Sequence, residues 1–290
     1  MLPARVRQWR EGGRFVTTRV GSVFVRSAPG DGPTVLLLHG YPSSSYDFRG
    51  VVPHLDGRGW LTLDFLGFGL SDKPRPHRYS LFEQANLVEA AVADAAVAGP
   101  VDLIAHDMGT SVATELVARD LQGRLDFDLR RVVLTNGSVM LDRASLRPGQ
   151  KILRSPLGAL AARSVNRAGF IRGFGKLFGT DHPLDQEEAA AQWALLAHHD
   201  GHRIAHLLAS YLDERERYAS RWHGAVRDWA KPLNFLWALD DPVATTAVLD
   251  GLRQLRPTAE VVELPRVGHY PQVEVPEVFA RSALGLLTSR

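Results

Sequence analysis

The pentapeptide Ala105-His106-Asp107-Met108-Gly109 constrains this chain more than any other stretch, because it joins an apolar run at 101–104 to a helical pattern at 110–120. Small residues around a polar one are what a tight strand-to-helix turn requires, since strand and helix pass too close there for larger side chains. Ala105 and Gly109 meet that requirement. A serine at such a turn suits acyl transfer, because its alkoxide needs a base to form and attacks carbonyl carbon. Asp107 implies different chemistry. A carboxylate is ionised at pH 7 and attacks an sp3 carbon unaided, giving an alkyl ester of the protein that water then cleaves at the carboxyl carbon. Epoxide opening and halide displacement fit that description. Taken alone, the motif is equally compatible with a chance match or with an aspartate capping the helix.

The wider sequence favours the turn. Its 290 residues, 45% hydrophobic, suffice for one large α/β core carrying an insertion. Short apolar runs at 34–38, 60–63, 101–104, 131–134, 233–239 and 260–264 mostly alternate with longer amphipathic segments, which predicts a mostly parallel, doubly wound sheet. With 34 Lys and Arg against 32 Asp and Glu the net charge is +2, and no block of like charges stands out. Nucleic acid and membrane surfaces are therefore poor candidate partners. The absence of cysteine excludes disulfides and thiol chemistry and suits a reducing compartment. Residues 1–15 are polar, without the apolar core of a signal peptide, and no stretch of 18 apolar residues occurs. A soluble, cytoplasmic protein is expected.

Ligands of an open parallel sheet bind at the carboxyl ends of its strands, so the residues that follow each apolar run carry the most information. His39-Gly40-Tyr41-Pro42 follows the first run. The backbone amides of Tyr41 and Met108 are candidates for an oxyanion hole, serving the step in which charge develops on the carbonyl oxygen of the ester. His39 and His106, beside these two turns, are expected to line the substrate site. Alone, His-Gly-Tyr-Pro also reads as a plain strand-ending turn. After 233–239 come Asp240-Asp241-Pro242, and after 260–264 comes Gly268-His269-Tyr270-Pro271. His269 is the candidate base for the water that attacks the ester, and a neighbouring carboxylate would hold its tautomer. Strand alternation puts Asp240 and Asp241 on opposite faces, and Asp241, directly before Pro242, is the favoured partner; Asp240 is assigned to a surface turn.

These features together resemble the α/β-hydrolases that use an aspartate nucleophile, the epoxide hydrolase and haloalkane dehalogenase group. The likeness spans nearly the whole chain. It rests on the stretch 63–85, beginning Leu-Asp-Phe-Leu-Gly-Phe-Gly-Leu-Ser-Asp, on His39 to Asp47, on the turn around Asp107, on the stretch from Trp193 through Gly201 to Tyr211, and on Gly268-His269-Tyr270-Pro271-Gln272. It implies the α/β-hydrolase fold, with a core of 1–140 and 229–290 and a helical lid at 141–228 inserted between core strands six and seven. It also implies Asp107 as nucleophile and His269 as base. One position departs from the pattern: relatives often carry Trp directly after the nucleophile, where this chain has Met108.

Ring opening leaves an alkoxide on the substrate, and epoxide hydrolases look to lid tyrosines to protonate it. The segment 202–220 is helical in pattern and carries Tyr211 and Tyr218. Tyr211 matches the family-like stretch and is the candidate donor, though an amphipathic core tyrosine fits as well. Tyr218, beside Asp213-Glu214-Arg215-Glu216-Arg217, is expected at the surface. His198, His202 and His206 recur at helical spacing, but spacing alone supplies neither the further ligands nor the orienting partners of a metal site, so a polar lining or solvated face is expected. No metal or cofactor is required by the Asp107 chemistry. The expected substrate is a small apolar epoxide or, alternatively, a halide. A third reading is a ligand-binding protein that keeps the fold without turnover. Dehalogenases aim Trp or Asn donors at the leaving halide, and Met108 and Tyr41 stand at the corresponding positions.

Overall fold

The computed structural model describes residues 2–289. Helix α1 (Ala4–Glu11) and the strands β1 (Arg14–Thr18) and β2 (Gly21–Ala28) lead into β3 (Asp31–Leu38), β4 (Arg58–Leu63), α2 (Leu81–Asp94), β5 (Val101–His106), α3 (Met108–Leu121) and β6 (Leu129–Thr135). The strands join one eight-stranded sheet in the order β1-β2-β4-β3-β5-β6, continued by β7 (Leu233–Ala238) and β8 (Val261–Leu264). From β4 onward the neighbours are parallel, while β2 pairs antiparallel with both β1 and β4. The apolar runs mark β3 to β8 but not the first two strands. β1 buries only Val16 among its five residues, so no hydrophobic run announces it.

The central strands are continuous apolar runs because both faces are covered. Every residue of β5 and of β7 is buried. Alternate residues of β3 divide between the layers: Leu36 and Leu38 pack with Val88 of α2 and Leu116 of α3, while Val35 and Leu37 pack with Phe279 and Ala283. The latter pair belongs to the C-terminal helix.

Between β6 and β7 the chain leaves the core for nearly a hundred residues that hold no strand. Helices α4 (Pro148–Leu153), α5 (Gly158–Ser164), α6 (Arg167–Gly175), α7 (Gln186–Ala197), α8 (Ala205–Leu208), α9 (Tyr211–Arg217) and α10 (Ala219–Asp228) form this lid. After β7 come α11 (Thr246–Leu255), β8, α12 (Pro271–Glu274) and α13 (Pro276–Thr288). The single helix expected over 202–220 is broken into pieces. Ile204, with φ −101° and ψ 8°, precedes the short α8, and Tyr218, with φ −111° and ψ 19°, separates α9 from α10. Tyr218 is not at the surface as expected: it is half-buried, its ring edge-on to Phe82 with centroids 4.7 Å apart.

Two sets of bonds fasten the lid to the core. The α7 side chains Gln192 and Glu188 engage Asp47 and Arg49, Gln192 Nε2 donating to Asp47 Oδ1 at 2.7 Å. On α9 and α10, Glu214 Oε2 accepts from the Leu81 amide at 2.7 Å, and Glu115 of α3 accepts from Arg221 Nε at 2.7 Å and Trp222 Nε1 at 3.1 Å.

Candidate active site

Asp107 is the one residue between β5 and α3, with φ 46° and ψ −113°, a backbone conformation that L-residues avoid and that costs of order 1–3 kcal/mol. The surroundings enforce it. A Cβ on Gly109 would come within 2.6 Å of the carbonyl oxygens of Leu38 and His39, and one on Gly40 would come within 2.5 Å of the Asp107 Cβ. Glycine at both positions lets the turn and the β3 loop close on each other. That closeness delivers the Tyr41 amide to Asp107 Oδ2 at 2.8 Å. The amide of Met108 opens α3 and is among the helix-terminal donors that lack an intrahelical acceptor. Oδ2 thus accepts from the Tyr41 amide, and Oδ1 carries no hydrogen bond among the described residues.

His269 stands across the same cavity. Its Nδ1 bonds Asp241 Oδ2 at 2.7 Å, and its backbone amide donates to the carbonyl of Leu177, a lid residue, at 2.7 Å. Asp241 is further held by Asn136 Nδ2 at 2.9 Å and by the amides of Val243 at 2.7 Å and Ala244 at 3.1 Å. Burial disfavours charge on both partners, but the mutual attraction and hydrogen bonds outweigh it: Asp241 is held below the ordinary carboxylate value and His269 above the ordinary imidazole value, Asp107 adding to the latter. Asp241 is buried and Asp240 exposed, as expected, yet not through strand alternation. β7 ends at Ala238, and the turn that follows separates the two side chains.

His39 and His106 do not line the cavity. His39 Nε2 accepts from the Phe65 amide at 3.0 Å while Nδ1 contacts Gly40 O at 2.9 Å. His106 Nδ1 accepts from Gln272 Nε2 at 3.0 Å, and Nε2 donates to the carbonyl of His269 at 2.7 Å. With both nitrogens used and no exposure, these rings are neutral struts; burial lowers them to about 3 and about 4. His106 supports the backbone of His269 rather than any ligand.

Asp107, His269, Tyr41 and Val243 share a cavity of about 360 Å3 with the lid residues Gln150, Leu153, Phe170 and Phe174. The wall is mostly apolar, as a small-molecule site requires. Tyr211 is buried behind it, its ring 5.7 Å from that of Tyr41 and its hydroxyl 3.5 Å from Nε2 of the cavity residue Gln150. Burial, then the charge of Asp107, raise both phenols well above the ordinary value, so each stays protonated.

Arg215 is the feature that the charge run 213–217 concealed. Only 1% exposed, it donates from Nε to Ser111 Oγ at 2.7 Å and from Nη2 to the Asp107 carbonyl at 3.0 Å, with Nη2 3.8 Å from Asp107 Oδ1 and the guanidinium stacked 4.6 Å over Tyr211. A charged stretch reads as solvated face, and nothing local distinguishes the one arginine that turns inward. Asn136 escaped notice for a similar reason: its role depends on β6 lying beside β7. Among the described residues no group of three or more acidic or histidine side chains is arranged to hold a metal.

Residues 33–276 match the family described as alpha/beta hydrolase fold. The putative hydrolase LipZ of Mycobacterium tuberculosis is 70% identical over 287 residues, covering 99% of each chain. The mesoderm-specific transcript protein of Mus musculus is 32% identical across 99% of this chain and 89% of its own. Among solved structures, the haloalkane dehalogenase DbeA of Bradyrhizobium elkani superposes with a TM-score of 0.79 at 22% identity, covering 96% of this chain and 99% of that one.

Proposed function

This chain belongs to the α/β-hydrolase fold family, and from that premise we propose that it is a hydrolase whose Asp107 is alkylated by an epoxide and then released by water. The observation that carries the reading is the placement of Asp107 in a left-handed turn, one carboxylate oxygen on the Tyr41 amide, in a cavity shared with His269 and its buried partner Asp241.

In the first step Oδ1 attacks an epoxide carbon, the carbon–oxygen bond opens, and the departing oxygen takes the electron pair. Tyr41, which lines the cavity, and Tyr211, which must reach past the wall behind which it is buried, are kept protonated by their surroundings and are the proposed donors of the hydrogen it needs. In the second step His269 takes a proton from water as the water oxygen bonds to the Asp107 carboxyl carbon. Charge gathers on Oδ2, where the Tyr41 amide already bonds it and the Met108 amide at the start of α3 is the proposed second donor; one such donor is worth about 2.7–4 kcal/mol. The bond from the carboxyl carbon to Oδ1 then breaks, the diol leaves with Oδ1, and the His269 proton neutralises it. Arg215 holds the carbonyl of Asp107 and thereby the turn itself.

The likeness to DbeA favours hydrolytic dehalogenation as the second reading, since the same nucleophile and base would serve it. No tryptophan lines the cavity, however, and the donors available to a departing halide would be Tyr41, Gln150, Arg147 and Lys176. A single turnover in heavy-oxygen water tests the common core of both readings: the label should enter Asp107 and be absent from the product. Label in the product alone would mean that water attacks substrate directly. Diol or halide release from a panel of substrates then separates the two.

A further inference from the structure

The near-neutral charge of the whole chain conceals a strongly uneven distribution. Residues 143–180 hold eight Lys or Arg and no Asp or Glu. They are spaced every few residues, so no contiguous block betrays them. Arg143 bonds Gln254 and Arg154 pairs with Asp213 and Glu216, but the other six, Arg147, Lys151, Arg163, Arg167, Arg172 and Lys176, make no ion pair among the described residues. On the same helices sit three of the largest exposed aliphatic side chains of the protein, Ile152 at 52%, Leu157 at 66% and Leu160 at 63%.

The ends of this cationic, apolar segment frame the way into the cavity, and two of its unpaired cations, Arg147 and Lys176, line the cavity itself. The cavity-lining residues that are also exposed are Pro148, Gly149, Gly169, Gly173 and Lys176, and all lie on α4, on α6 or immediately after it. A Cβ at Gly149 or Gly173 would meet nothing within 4 Å, so the rim there is open. The mouth of the site is thus framed by α4 and α6, with the exposed leucines on the α5 segment that joins them.

We propose that the outer face of α4–α6 docks on an anionic lipid surface, with the cavity mouth against the bilayer. Unpaired Lys and Arg around protruding aliphatics are the composition that binds anionic headgroups while inserting side chains at the acyl boundary. A second copy of this chain would bring like charges together, which disfavours self-association through this face. Duplex nucleic acid satisfies the cations but offers the leucines nothing. Docking would present the mouth to apolar molecules dissolved in the membrane, whichever bond the enzyme breaks.

Flotation of the full chain with phosphatidylcholine vesicles, with and without phosphatidylglycerol, tests this. The protein should partition onto the anionic vesicles only and leave them as salt is raised. Lys151→Glu/Arg167→Glu/Arg172→Glu, none of which lines the cavity or holds an ion pair, should cut partitioning tenfold or more without altering Tm. Leu157→Asp/Leu160→Asp should weaken binding while leaving its salt dependence in place. Failure of the wild-type protein to bind anionic vesicles, binding that survives the triple charge reversal, or equally tight binding to duplex DNA through the same residues would each overturn the proposal. Since the readout is partitioning, failure of the Asp107 chemistry leaves this test untouched.

Discussion

His269 is fixed at its ring by Asp241 and at its backbone by both Leu177 of the lid and His106 of the core. Only its protonation state remains to be chosen, and as a base it must be neutral. Its pKa in the folded protein lies above the ordinary value, partly because Asp107 is charged nearby. Alkylation removes that charge. Ester decay should therefore fail as pH drops through a value lower than the one at which His269 titrates in the free enzyme, and Asp241→Asn should move both downward. Rapid-quench decay rates beside an imidazole titration by NMR would show this; coincident values would mean that Asp107 does not reach His269. Tyr211 makes a separate demand. Tyr211→Phe should slow ester formation from an epoxide roughly a hundredfold and spare ester decay, because only the first step creates an alkoxide. An unchanged first step would leave donation to Tyr41 alone. The sequence makes Asp107, Asp241 and His269 legible because each follows a recognisable apolar run. Arg215 and the strut roles of His39 and His106 are not legible, since they depend on which neighbours the fold brings within 3 Å.

At the level of elements, the parallel strands are readable because burial on both faces forces unbroken apolar runs. The outer strand β1 is half exposed and carries no such run, and β2 buries only Val23-Phe24-Val25, too short a run to mark a strand. The broken helices of the lid are hidden too, since single residues such as Tyr218 end them without glycine or proline. Where α7 meets the core, packing sets up a titration that has no local signal. Asp47 is fully buried, its Oδ2 lacks a partner, and burial pushes it up to about 7 against hydrogen bonds from Ser43 and Gln192. Its folded pKa exceeds the unfolded value of about 3.9, so the folded state binds the extra proton between those two values. Stability from this group is greatest below the lower value and declines until pH reaches the upper one. Relative to Asp47→Asn, the wild-type protein should lose on the order of 2 kcal/mol between about pH 5 and about pH 7. Urea unfolding of both proteins across that range removes other titrations from the comparison, and parallel curves would place the proton elsewhere.

Across the whole molecule, the two halves of the lid are held with very different security. In α9 and α10, Arg215, Glu214, Arg221 and Trp222 reach into the core and bond to Ser111, the Asp107 carbonyl, the Leu81 amide and Glu115. Opening this half would strand buried charges, each at a cost of about 1–3 kcal/mol or more. It would also release the carbonyl of Asp107, so the proposed nucleophile and this part of the lid must stay together. In α4 and α5, by contrast, the only buried residues are Gly158 and Ala162, and no side chain of α4 or α5 bonds to a core strand or core helix among the described residues. Few buried contacts and exposed amides are the conditions for local opening well below the global unfolding energy. On the proposed function, substrate traffic would belong to the α4–α6 side, where α4 and α6 supply the exposed lining of the cavity, while α9–α10 keep the turn intact. Native-state hydrogen exchange should find amides of α4 and α5 opening at least about 3 kcal/mol more easily than those of α9, α10 and β5, with protection of α4–α6 rising when the cavity is filled. Equal protection in the two halves, or a filled cavity that protects α9–α10 instead, would assign the gate to the wrong end of the lid.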